Sequence, residues 1–222
     1  MVRDRRLVIQ CTATVANYEY ILAFVLDQAA NLHIEVRATG IISTMPIRQG
    51  ANFPWGTTVA PGVLAVNHQH LFCVRIDPHL EGLRKNTIKY DDCIPVVDEP
   101  ELDPFGCAFR HESSSVKKPG GYDLDLSKAR VYKIINKSRK NAVSGKEVGY
   151  KLHAVPSQMI MMSPKTFNFR RGVFASKPIW VTKYQDDELW IAGEFTNQSR
   201  QDTGLAVWAS RDESVENEDV VL

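Results

Sequence analysis

The sequence predicts an all-β protein: a large antiparallel β-sandwich, incomplete, with residues 1–222 forming a single partial domain. Three observations carry this expectation. Short β-branched or alternating segments recur along the chain with turn residues between them. No long stretch shows the 3.6-residue apolar period of an amphipathic helix, and no internal repeat is present. At 222 residues and 44% apolar content, the chain can bury a sizeable core as one all-β unit.

Taken in order, Leu7–Thr14, Tyr18–Leu26 and Leu32–Ile42 read as strands, with Asp27–Asn31 a hairpin-length loop between the second and third. The third alternates, Ile34, Val36 and Ala38 against His33, Glu35 and Arg37. Turn residues Pro46, Gly50, Pro54 and Gly56 follow. Val59–Val66 is apolar but interrupted by Pro61-Gly62, which indicates a bulge or tight bend rather than a central strand. His68–Asp77 reads as a further strand, with His68, His70, Phe72, Val74 and Ile76 on one face. Asp91–Gly121, rich in Pro, Asp, Glu, Ser and Gly, reads as surface chain. Asp125–Asn136 returns to strand character, and Lys137–Lys146 reads as a basic, solvated turn. Val148–Val155, Ile179–Tyr184, Glu188–Phe195 and Leu205–Ala209 give four more short strands. Met159–Met162 is expected to fill core space. The acidic stretch 211–219 turns apolar at Val220-Val221-Leu222, as if the chain were cut in mid-strand.

A net charge of +1 argues against a nucleic-acid or membrane partner. No uninterrupted apolar run reaches the ~18 residues of a membrane span. Met1–Arg6 is followed by Gln10, Thr12 and Thr14, a poor signal-peptide core. Cys11, Cys73, Cys93 and Cys107 lack the C-x-x-C spacing of zinc ribbons or redox motifs, so a reduced, intracellular compartment is expected.

The stretch that carries chemistry is Thr14-Val15-Ala16-Asn17-Tyr18-Glu19-Tyr20. On a strand, Tyr18 and Tyr20 share a face. By themselves they read as core tyrosines with hydrogen-bonded hydroxyls. About fifty residues on stands Asn67-His68-Gln69-His70, whose two imidazoles a strand would place side by side. Imidazole suits copper, zinc, iron and nickel, so the pair alone selects no metal.

Together these segments resemble the copper-containing primary amine oxidases, fungal members above all. The first stretch fits that family's Thr-x-x-Asn-Tyr-Asp/Glu-Tyr signature, and Ala60-Pro61-Gly62-Val63 with Asn67-His68-Gln69-His70-Leu71-Phe72 looks like its copper-site segment. Further agreement comes from Val148-Gly149-Tyr150-Lys151-Leu152, Ile179-Trp180-Val181-Thr182, Ala192-Gly193, Thr196-Asn197-Gln198, Gly204-Leu205 and Trp208. The similarity runs from about Arg5 to Leu222.

The resemblance implies that Tyr18 is the tyrosine oxidised in place to topaquinone, that His68 and His70 are two of three copper ligands, and that Asn17 and Tyr20 orient the quinone. It also implies a catalytic-domain homodimer oxidising a small primary amine with oxygen to aldehyde, ammonia and hydrogen peroxide. A cytoplasmic or peroxisomal enzyme is expected, although Val220-Val221-Leu222 is not a peroxisomal tripeptide. The family's catalytic aspartate and third copper histidine have no counterpart among these residues, so the chain alone is expected to be inactive. A second, calcium-type site would fall at Asp77 and Asp219, but His79 replaces its second carboxylate. Two other readings stay open: an inactive structural or dimerisation module, and an unrelated metal-binding β-protein with no role for Tyr18.

Overall fold

The computed structural model describes residues 3–81, 84–97, 99–156, 158–201 and 203–222. Its strands pair antiparallel throughout, and its two α-helices have five and four residues, so the chain is all-β. Two compact units divide at His68.

In the first unit, β1 (Arg6–Val15), β2 (Tyr18–Asp27) and β3 (Leu32–Gly40) form a meander. The register sets Ile9 opposite Phe24, and Phe24 opposite Ile34, so the period-2 apolar pattern of all three strands falls on one face. Two residues join β1 to β2, and Ala16 takes the left-handed conformation there at φ 54°. Three further strands, β4 (Thr44–Pro46), β5 (Gly56–Ala60) and β6 (Val63–Val66), make a small sheet in the order β4-β6-β5. Val63–Val66 is therefore the middle strand of this small sheet, and the tight bend expected at Pro61-Gly62 is present. Pro61-Gly62 forms the turn that lets it double back, with Gly62 at φ 77°.

Asp27 closes the β2–β3 loop: its carboxylate accepts from Ala29 N (2.9 Å), Asn31 N (3.0 Å) and Asn31 Nδ2 (2.9 Å). These donors, the Asn31 amide side chain foremost, hold its pKa down to about 2. Because the folded pKa lies below the unfolded one, this contribution to stability is complete above about pH 4 and is lost as pH falls through about 2. The Asp27 carboxyl is expected to titrate near pH 2 in a carbon-detected NMR titration, and Asn31→Ala is expected to move it upward. A midpoint at the ordinary aspartate value would refute the assignment.

In the second unit the central strand is β7 (Lys85–Pro95). It pairs with β8 (Phe109–Ser115), β10 (Val131–Lys140) and β13 (Glu218–Val221). The sheet runs from β11 (Glu147–Leu152) through β10, β7, β13 and β12 (Ile179–Lys183) to β9 (Gly120–Tyr122), with β8 attached to β7. Ile88, Tyr132, Ile134, Ile179, Val181 and Val220 form its core with Leu80, Val116 and Val215. Two buried amides tie residues 78–80 to the sheet. Asn86 Nδ2 donates to Pro78 O at 2.8 Å, and Asn136 Nδ2 donates to Leu80 O at 3.0 Å.

Four sequence expectations are corrected in this unit. Asp91–Gly121 contains all of β8 and part of β7 and β9 rather than surface chain alone. Leu205–Trp208 is helix α2, which buries Leu205 and Trp208 on one side at i, i+3 spacing. Glu188–Phe195 forms no strand; Gly193 turns there at φ 94°, and Glu188 is held by Arg211. Met159, Met161 and Met162 are too exposed to be core filling.

Candidate functional site

Tyr18 is the first residue of β2, and the backbone around it is shaped to bring β3 close. Gly40, opposite Tyr18 in register, has φ 132°; a Cβ there would lie 2.4 Å from Asn17 O and 2.7 Å from Tyr18 Cα. With no side chain in the way, the chain folds over the Asn17–Tyr18 step. Ile41 N donates to Asn17 O at 2.8 Å, and Asn17 Nδ2 returns a hydrogen bond to Ile41 O. The same amide reaches Ser43 Oγ at 3.2 Å.

Those contacts deliver Ser43 to the phenol. Ser43 N donates to Tyr18 Oη at 3.1 Å, and Ser43 Oγ lies 3.2 Å from it. The Ser43 hydroxyl is the chief reason the Tyr18 phenol sits below its ordinary pKa, with help from Ser43 N–H and Asn17 against the opposing effect of desolvation. Sequence reasoning missed Ser43. Its only signal was a hydroxyl immediately after an apolar pair, Ile41-Ile42, at the end of the expected strand.

His68 completes the cluster. It follows β6, and its Nε2 lies 2.9 Å from Tyr18 Oη, with the two rings 5.6 Å apart. Its other nitrogen, Nδ1, lies 2.9 Å from Val66 O. A carbonyl can only accept, so Nδ1 carries the proton and Nε2 presents its lone pair toward the phenol. This arrangement also equips an imidazole to hold a metal, because the backbone contact fixes tautomer and ring orientation. The Tyr20 ring lies 6.5 Å from that of Tyr18 on the same face of β2.

The strand expected over His68–Asp77 does not form. Residues 67–79 make no ladder, and Phe72 and Val74 are exposed. Ile76 instead exchanges two backbone hydrogen bonds with Leu222, at 2.8 and 2.9 Å. The second unit fixes its own first residues by other means. Gln69 Nε2 donates to Met159 O at 2.9 Å, and Met161 N donates to Gln69 Oε1 at 2.7 Å. His70 follows at once, half-buried.

The chain on this all-β frame has relatives among known proteins. The family model described as copper amine oxidase, enzyme domain, matches residues 1–222. The chain belongs to the copper amine oxidase family. It is 38% identical over 221 residues to copper amine oxidase 1 of Aspergillus niger, covering 99% of this chain and 33% of that protein. It is 33% identical to the primary amine oxidase of Arthrobacter sp. strain P1, covering 99% of this chain and 34% of that protein. The crystal structure of a copper-containing benzylamine oxidase from Hansenula polymorpha superposes with TM-score 0.93 at 47% identity, over 99% of this chain and 35% of that one. The chain thus spans about a third of the length of its curated relatives.

Within this copper amine oxidase domain, Asp77 and Asp219 share a positive neighbour. Arg84 Nη1 lies 3.5 Å from Asp219 Oδ2, and both carboxylates act on the guanidinium to raise its pKa, Asp219 more strongly. Calcium takes six to eight oxygen ligands. Two carboxylates already facing an arginine, with His79 in place of a further oxygen, do not fit that ion. Among the described residues, no three His, Cys, Asp or Glu side chains gather where they could hold a metal. None of the described helices is long and apolar enough to cross a membrane.

Proposed function

We propose that this chain carries the quinone-forming tyrosine and part of the copper site of a primary amine oxidase, acting on primary amines and oxygen to give aldehyde, ammonia and hydrogen peroxide. The observation that supports this reading most directly is the 2.9 Å contact between Tyr18 Oη and His68 Nε2, with His68 Nδ1 tied to Val66 O. The donor set fits copper, for which imidazole is a suitable ligand. His68 would hold the ion through Nε2, and the resemblance assigns His70 as a second ligand. Bound copper would supply the redox chemistry that converts the Tyr18 ring in place to topaquinone, and the quinone would serve as electron sink for the amine.

The chain's own groups have separable tasks in this reading. Ser43 N–H, donating to Tyr18 Oη, favours the charged phenolate over the neutral phenol, as does the neighbouring Ser43 hydroxyl. His68 Nε2 can accept the phenolic proton before a metal takes its lone pair. Asn17 anchors the Ile41–Ser43 segment, so the donors stay in place while the ring chemistry proceeds. Tyr20 flanks the ring and limits its swing.

The test is to load a polypeptide that joins this chain to the family's remaining site groups with copper under air, treat it with phenylhydrazine, and map the adduct by peptide mass spectrometry. The adduct is expected on the peptide that contains Tyr18. Copper-loaded protein in which residue 18 remains an unmodified tyrosine would overturn the proposal and leave the structural-module reading. The same family resemblance implies a homodimer, which sedimentation would register as twice the chain mass; a monomer at working concentration would count against it.

A further inference from the structure

Away from the tyrosine site, β7 and β8 bring together two residues with ligand chemistry. Cys93 and His111 are directly opposed in the β7–β8 register, and Cys93 Sγ lies 3.5 Å from His111 Nδ1. Cys93 is half-buried, His111 is exposed, and all four cysteines are free thiols. The Phe109 ring meets His111 edge-on at 5.6 Å, so one side of the imidazole is walled. Asp91 shares this face of β7 two residues from Cys93, with its carboxylate paired to Lys133 and His111 among its electrostatic neighbours.

The separation is what a tetrahedral ion requires. Zinc sits about 2.3 Å from a thiolate sulfur and about 2.0–2.1 Å from an imidazole nitrogen, and the tetrahedral angle between those bonds sets sulfur and nitrogen about 3.5–3.6 Å apart. A linear two-coordinate ion would need about 4.3–4.4 Å with the same bond lengths. Opposed residues on paired strands hold this spacing without any movement of the backbone.

We infer that Cys93 and His111 form a two-residue half-site for a thiophilic divalent cation of the zinc class. The ion takes the position of the thiol proton, bonding to Cys93 Sγ and His111 Nδ1. The displaced proton leaves to solvent, and water fills the remaining positions. Binding therefore releases one proton and weakens as pH falls. The inference is independent of the role proposed for Tyr18, since the two clusters share no residue.

Cobalt(II) serves as the probe. Added to the reduced chain, it is expected to give a thiolate-to-cobalt charge-transfer band that saturates at one ion per chain and is erased by zinc. Cys93→Ser should abolish the band, and His111→Gln should weaken binding at least tenfold. Cys11→Ser and Cys107→Ser should leave the band unchanged. A band that survives Cys93→Ser, or no band in the parent chain, overturns the inference. Should the Cys93 variant fail to fold, the unmutated chain still decides. Zinc is expected to slow iodoacetamide labelling of Cys93 at least fivefold while leaving Cys11 and Cys107 unaffected; equal labelling of Cys93 with and without zinc refutes the site.

Discussion

Tyr18→Phe, made in a polypeptide that supplies the family's remaining site groups, is expected on the proposed function to abolish amine oxidation while copper remains bound. The substitution removes one oxygen and leaves the ring on β2 beside Tyr20. It deletes the atom that contacts His68 Nε2, Ser43 N and Ser43 Oγ, and so the starting material for quinone formation. His68 keeps its tautomer because the Val66 carbonyl still takes the Nδ1 proton. Loss of a covalent catalyst costs on the order of 10⁴-fold or more in rate. Amine-dependent peroxide release should therefore fall to background, and hydrazine labelling should vanish. Metal analysis and the copper spectrum should stay within twofold of the parent. Retained turnover would remove Tyr18 from the chemistry; loss of copper as well would mean that the phenol holds the site together structurally.

Gly40→Ala carries the second large effect, this time through the backbone. An added Cβ would lie 2.4 Å from Asn17 O and 2.7 Å from Tyr18 Cα, both backbone atoms that no rotamer change can move. The residue also sits at φ 132°, a conformation that L side chains rarely adopt. Relief requires the end of β3 to lift off the Asn17–Tyr18 step, which breaks the Ile41 N–Asn17 O bond and withdraws Ser43 from the phenol. We expect a loss of about 3 kcal/mol or more, combining backbone strain with the clash. Thermal unfolding should register it as a lower midpoint. In material that still folds, quinone formation at Tyr18 should be slowed at least tenfold. Gly50→Ala is a useful control, because no atom lies within 4 Å of a Cβ at that position. A Gly40 variant as stable as the Gly50 control would remove the close approach from the account.

The first three strands were legible from apolar and β-branched runs separated by turn residues, with clean alternation in the third. Arg6–Asp27 keeps its apolar positions in step across ten consecutive register pairs. The pairing of Tyr18 with His68 was legible only as two motifs fifty residues apart; the strand invoked to align the histidines does not exist. What joins them is a backbone detail at Gly40 and a serine, and neither leaves a periodic trace in the sequence.

Strand β7 escaped notice for the opposite reason. Asn86, Asp91 and Asp92 are residues that favour turns and surfaces, yet here they lie in the middle of a sheet. Partners distant in sequence stabilise Asp91, Asp92 and the neighbouring Thr87. Arg130 grips Asp92 through two 2.7 Å bonds, Lys133 pairs with Asp91, and Thr87 Oγ1 accepts from Asn217 N at 3.0 Å. Local propensity cannot register such compensation. Leu205–Trp208 failed at a different level, since an apolar run of five residues fits a strand or a buried helical turn equally well.

The order of strands in the second unit bears on how the polypeptide matures. β13 joins β7 to β12, so among the described residues strands β7, β8, β10 and β11 meet β12 and β9 only through residues 218–221. A ribosome delivers that linking segment after every other strand of the unit. Until it emerges, the nascent chain holds two unfinished edges, each offering unpaired backbone amides to neighbouring nascent chains. Synthesis slowed just ahead of the codon for Glu218 should raise the insoluble fraction more than an equal delay before β7.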